Sequence, residues 1–144
     1  MFQHDLLHDK RVLITGGGTG LGKSMGARWV ELGAHVVICG RREEVLVAAA
    51  QEFNDHRAGA ASWHACDIRD PDAVNAMVDA AWADAPLDGL LNNAAGNFIA
   101  RSETLSHRAV DAILSIVLHG TTYVTLACGR RWLADERPGN ILSI

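Results

Sequence analysis

Val12-Leu13-Ile14-Thr15-Gly16-Gly17-Gly18-Thr19-Gly20-Leu21-Gly22 decides how the rest of the chain is read. An apolar run enters a glycine-rich turn, and a helical pattern leaves it and continues to about Leu32. Strand, glycine turn and helix in that order set phosphate groups on a helix N-terminus. There, unpaired backbone N–H groups and the positive end of the helix dipole meet the anion. Glycine lets backbone approach phosphate oxygens and adopt positive φ. Gly16, Gly17, Gly18, Thr19, Gly20, Leu21 and Gly22 are therefore the candidate phosphate-binding residues. Two patterns fit them. From Gly16 the spacing is G-x-x-x-G-x-G, a variant of the dinucleotide turn. From Gly17 to Ser24 it is G-x-x-x-x-G-K-S, in which Lys23 would reach a nucleotide's terminal phosphates and Ser24 a Mg²⁺ ion. A turn kept only for tight strand–helix packing is the plainer alternative. The loop alone does not separate these readings.

Outward from the turn, apolar runs alternate with helical patterns. His35 to Cys39 is a short buried strand between Gly33 and Gly40. Glu43 to Phe53 carries Val45, Leu46, Ala49 and Phe53 at helical spacing. Ala60 to Cys66 predicts a third strand and Asp88 to Asn92 a fourth. Between them Pro71 opens a helix whose apolar face is Ala73, Val74, Met77, Val78 and Ala81. Ser106 is a suitable N-cap for one long helix ending near Arg130–Asp135, with Pro138-Gly139 as the stop. Asn140 to Ile144 begins a fifth strand, inside which the sequence ends. The expected fold is α/β, a doubly wound parallel sheet of Rossmann type, with right-handed crossovers and helices on both faces. Residues 1–144 form a single nucleotide-binding domain in this reading.

Composition narrows the function classes. With 144 residues, 49% of them hydrophobic, the chain can bury a core. A net charge of −4 with both signs interspersed gives no nucleic-acid or membrane footprint. Cys39, Cys66 and Cys128 are odd in number, far apart and in apolar contexts, which suits small buried hydrophobes in a reducing compartment. The seven histidines show no metal-ligand spacing, so no metal site is expected. Met1 to Lys10 is no signal peptide, and no window looks apolar enough to cross a membrane. A cytoplasmic protein is the expectation.

On such sheets ligands sit beyond the carboxyl ends of the strands. Strand 2 is followed by Gly40, Arg41 and Arg42, with no carboxylate before Glu43. A guanidinium there suits a 2′-phosphate, where a carboxylate would bind a ribose 2′-hydroxyl, so NADP(H) is expected over NAD(H). Asp67, after strand 3, can accept from an adenine amino group or cap a helix. Asn92 to Phe98, after strand 4, supplies small residues against which a ring and ribose can lie. Triphosphate chemistry does not explain the Asn92–Gly96 segment, so the G-K-S match is read as coincidence.

Thr15–Gly22, Arg41, Asp67 and Asn92–Gly96, at these separations, resemble the short-chain dehydrogenase/reductase superfamily. The string Asn92-Asn93-Ala94-Ala95-Gly96-Asn97-Phe98-Ile99, with Ile116-Val117-Leu118-His119-Gly120-Thr121, is similar to 2,4-dienoyl-CoA reductases. The resemblance covers essentially the whole chain but only the cofactor-binding half of such an enzyme. It implies that Gly16 to Gly22 hold a pyrophosphate and Arg41 the 2′-phosphate. Asp67 and Ile68 would frame the adenine, and Asn93, Ala94 and Gly96 would line the ribose side. Arg69, Phe98 and Ser106 would contact an acyl-CoA. His119 stands where the superfamily has an asparagine that helps a proton-relay water; it can relay too, or only pack within its helix.

The resemblance implies an NADPH-dependent oxidoreductase of fatty-acid metabolism that reduces a 2,4-dienoyl-CoA or enoyl-CoA. A carbonyl reductase acting on 3-oxoacyl thioesters or other ketones is the alternative within the class. A P-loop nucleotide hydrolase and a non-catalytic NADP-binding module are alternatives from other classes. A homodimer or homotetramer is expected, as is usual in the superfamily. The family's strand-5 serine and Tyr-x-x-x-Lys pair have no counterpart: Tyr123 is followed four residues on by Ala127, the lysines are Lys10 and Lys23, and Ser143 comes too early. The 144 residues therefore read as a truncated reductase that is inactive by itself.

Overall fold

The computed structural model describes residue 3 and residues 5–144. Its strands are β1 (Arg11–Thr15), β2 (His35–Gly40), β3 (Ala61–Ala65), β4 (Gly89–Asn92) and β5 (Asn140–Ser143). Between them run α1 (Gly20–Glu31), α2 (Glu43–His56), α3 (Pro71–Asp84), α4 (His107–Leu114) and α5 (Thr121–Ala134). The sheet order is β3-β2-β1-β4-β5 and every pairing is parallel, which is the Rossmann-type arrangement expected. The order reverses at β1: β2 lies on one side of it and β4 on the other. That opens a crevice beyond the strand ends.

Alternation along the strands divides the core. Leu13, Val37, Cys39 and Leu90 face α3 and α5, packing with Val74, Val78, Val124 and Cys128. Ile14, Val36, Ile38 and Leu91 face α1 and α2, packing with Val30, Leu46 and Phe53. Full burial of each such aliphatic side chain contributes roughly 1.5–3 kcal/mol. A sheet covered on both faces explains why these strands read as continuous apolar runs.

The helix ends follow local chemistry. Asp70 caps α3, its carboxylate accepting from the backbone N–H groups of Asp72 and Ala73, with Pro71 in the first turn. The cap is thus Asp70 and not Asp67. Ser106 caps α4 as expected, its Oγ accepting from Ala109 N at 3.2 Å.

Two expectations are corrected here. The helix after Ser106 is not uniformly α: a six-residue π turn, Ser115–Gly120, joins α4 to α5. Its last residue, Gly120, lies hard against Ile68, where an added Cβ would stand 2.6 Å from two side-chain carbons. Also, among the described residues one helix, His107–Ala134, has the length and composition of a membrane span, contrary to the sequence reading. Its Val124, Ala127, Cys128 and Trp132 are buried against the sheet, so part of that apolarity belongs to the domain core.

Candidate functional site

The β1–α1 turn and the β4 loop are fastened together before any ligand is considered. Thr15, 1% exposed, accepts at Oγ1 from the backbone N–H groups of Asn93 and Ala94, both at 3.0 Å. Asn93 Nδ2 donates to the carbonyls of Thr15 (3.0 Å) and Gly16 (3.3 Å). Gly22 sits beneath this lock, where a Cβ would fall 2.5 Å from Asn93 Nδ2 and from the Gly16 carbonyl oxygen. Only glycine fits.

The turn opens α1 in a form suited to an anion. Its N-cap, Thr19, makes no side-chain cap bond, and the first helical turn holds no acidic residue. The leading N–H groups are therefore not claimed by a side chain. Gly20 has φ of +55° and open space where a side chain would project, which leaves bare backbone beside the cleft. These features fit a pyrophosphate.

A cleft of about 380 Å³ lies beyond the strand ends. It brings together the expected Gly16, Gly18, Thr19, Leu21, Arg41, Asp67, Ile68, Arg69, Asn93 and Ala94. Gly17, Gly20, Gly22 and Gly96 support the surrounding turns without lining it. Arg42, Val45, Leu46, Cys39, Cys66, Ala95 and Ile116 line it and were not assigned to the site from sequence. Arg42 adjoins Arg41 and had a readable signal. Ile116 is presented by the π turn, which left none.

Charge at the ends of β2 and β3 is specific. Arg69 donates to both carboxylate oxygens of Asp67, from Nε at 2.9 and 3.1 Å and from Nη2 at 2.5 Å. These bonds hold the Asp67 carboxyl below its ordinary range, with nearby Arg41 acting in the same direction. Nη1 of Arg69 is left over. Burial pushes the Cys66 thiol up to about 11 and the Cys128 thiol up to about 12. Cys39, fully buried, is shifted upward as well, chiefly by burial. The three thiols are free and buried, as the composition suggested.

Other assigned residues stand apart from the cleft. Phe98 is exposed on the β4 loop and Ser106 is engaged as the α4 cap. His119 is exposed on the π turn, its ring 6.2 Å from that of Tyr123. Lys23, the lysine of the G-K-S reading, pairs with Glu52 on α2 at 2.7 Å. Neither Lys23 nor Ser24 lines the cleft, so the triphosphate reading loses its two defining ligands. No group of three or more metal-ligating side chains occurs among the described residues.

The short chain dehydrogenase family model matches residues 10–144. An uncharacterized oxidoreductase of Caenorhabditis elegans is 43% identical over 141 residues, covering 96% of this chain and 45% of the relative. A probable 2,4-dienoyl-CoA reductase, (2E)-enoyl-CoA-producing, of Bacillus subtilis is 37% identical over 139 residues, covering 96% and 54%. Among solved structures, a short chain dehydrogenase from Bacillus anthracis superimposes with a TM-score of 0.89 at 38% identity, covering 95% of this chain and 55% of that one. A metagenomic short-chain oxidoreductase in complex with NADP gives 0.85 at 29% identity, covering 95% and 62%. The chain spans about half the length of the curated relatives it matches.

Proposed function

Because the chain belongs to the short chain dehydrogenase family, we propose that it is the cofactor-binding half of an NADPH-dependent reductase acting on a 2,4-dienoyl-CoA or enoyl-CoA. One observation carries the cofactor reading: Arg41 and Arg42 both line the cleft at the end of β2, with no carboxylate at that strand end. Bound there, NADPH supplies the hydride. The chain's own residues bind and orient it. The α1 N-terminus takes the pyrophosphate, Arg41 the 2′-phosphate, Asp67 and Ile68 the adenine, and the Asn93–Gly96 segment the ribose side.

The Asn92–Ile99 string and the similarity to a relative named as a probable 2,4-dienoyl-CoA reductase support the substrate class. Phe98 packs on the acyl chain, Ser106 contacts the same acyl-CoA, and the unengaged Nη1 of Arg69 meets its phosphate or carbonyl. His119 positions a relay water. These 144 residues contain no Tyr-x-x-x-Lys pair, so by themselves they are not expected to turn substrate over. A cytoplasmic location completes the proposal and is supported by three unpaired buried thiols.

The test is NADPH consumption by the intact protein with 2,4-dienoyl-CoA and with small ketones. The expected outcome is turnover of the CoA ester, with Arg69→Ala raising KM for it more than for any ketone. Turnover of ketones and of no CoA ester would assign a carbonyl reductase instead.

A further inference from the structure

We propose that Arg69 sets the preference for a 2′-phosphorylated cofactor without touching that phosphate, by neutralising the Asp67 carboxylate beside it. The proposal rests on the NADP reading above and adds a determinant to it. Asp67 and Arg41 follow the ends of neighbouring strands: Gly40 is in register with Ala65, and Cys66 N donates to the Gly40 carbonyl at 2.7 Å. The two side chains therefore enter the cleft side by side. Among the described residues Asp67 is the one carboxylate lining it, against the guanidiniums of Arg41, Arg42 and Arg69. Arg69 engages both Asp67 oxygens and adds a backbone N–H to Oδ1 at 3.1 Å. Arg41 and Arg42 have no carboxylate partner among the described residues. The pairing therefore leaves two cations free for an incoming anion.

The physics then separates the two cofactors. An unneutralised Asp67 would repel a 2′-phosphate held by Arg41 on the next strand. It would not repel the neutral 2′-hydroxyl of NADH. Asp67 and Arg41 are within electrostatic reach, since Arg41 helps hold the Asp67 carboxyl ionised. A carboxylate kept for adenine is thereby made compatible with a phosphate site. Were Arg69 merely closing the turn after β3, its loss would weaken both cofactors alike.

The experiment measures dissociation constants of NADPH and NADH for the intact protein at low salt, by fluorescence titration. The variants are Arg69→Ala, Arg69→Lys, Asp67→Asn and the double variant D67N/R69A. R69A should lose about three- to tenfold of the NADPH-over-NADH preference, almost all of it in NADPH affinity. R69K should keep most of the preference, because the cation is retained. D67N alone should raise the preference, and D67N/R69A should return it to within about twofold of the wild type, because the two opposite charges then leave together. Three outcomes overturn the proposal while leaving the NADP reading intact. They are an equal loss for both cofactors in R69A, no loss in R69A, and a double variant whose preference is as low as that of R69A alone. A wild type that binds NADPH and NADH equally removes the premise, and overturns both.

Discussion

Asn93 looks in sequence like a ligand-binding residue, yet its hydrogen bonds, like those of Thr15, are to the protein. Thr15 Oγ1 is the acceptor for two N–H groups of the β4 loop, and the Asn93 amide donates to the turn that opens α1. Thr15→Val keeps the volume and removes the acceptor, which leaves two backbone N–H groups unpaired at a partly buried site. The expected cost is about 1–3 kcal/mol, read as a lower denaturant midpoint at unchanged slope. An unshifted midpoint would show that the hydroxyl carries no such load. Two histidines bear on stability in another way. Burial lowers His35 and His64 below the ordinary imidazole value, and the His64 Nε2 is buried without a partner. A base held neutral in the fold binds fewer protons than the unfolded chain does as pH falls through the ordinary value of about 6.5. Their effect is therefore absent well above that value and becomes destabilising beneath it. The melting temperature should drop between about pH 7.5 and about pH 5.5, and His64→Gln should flatten the drop. An equal or higher melting temperature at the acid end would contradict this.

The β1–α1 unit shows why an element can be stricter than its residues. Gly22 begins as one glycine among many, but it lies where α1 crosses the Gly16 carbonyl and the Asn93 amide. Gly22→Ala must push one of these away, and the Gly16 contact is backbone. The change should cost about 1–3 kcal/mol and weaken NADPH binding at the same time, in paired unfolding and titration measurements. A variant that loses neither would show that the turn has slack. The unit was legible in sequence because apolar run, glycine turn and helical period all pointed to one arrangement. The five strands and their parallel pairing were legible for the same reason, with boundaries displaced by a residue or two. The π turn was not. Ile113, Leu114, Val117 and Leu118 fit an α-helical stripe as well, and the π turn ends where Gly120 closes on Ile68, a long-range contact that no local pattern announces. The Asp67–Arg69 pair was hidden differently. Two residues of opposite charge close in sequence can face apart or together, and only the turn after β3 settles which.

For the whole molecule, the unfinished business lies on the far side of the α4–α5 helix. Val110, Leu114, Val117 and Leu118 recur at helical spacing and are exposed, while the opposite side packs on the sheet. We expect this face to be covered by a second copy in a closed dimer or tetramer. Light scattering on the intact protein at micromolar concentration should give a multiple of the subunit mass, and Leu118→Asp should reduce it. A mass of one subunit would contradict the expectation. The claim on which the account turns is narrower: the cleft beyond β1, β2 and β3 takes a dinucleotide carrying a 2′-phosphate. Parallel titration of NADPH, NADH and Mg²⁺-ATP against the intact protein tests it most directly. The account predicts NADPH tightest, NADH weaker by about 1.5–3 kcal/mol for the lost charge-assisted phosphate contact, and ATP negligible. Equal affinity for NADPH and NADH, or tight binding of Mg²⁺-ATP, would contradict it.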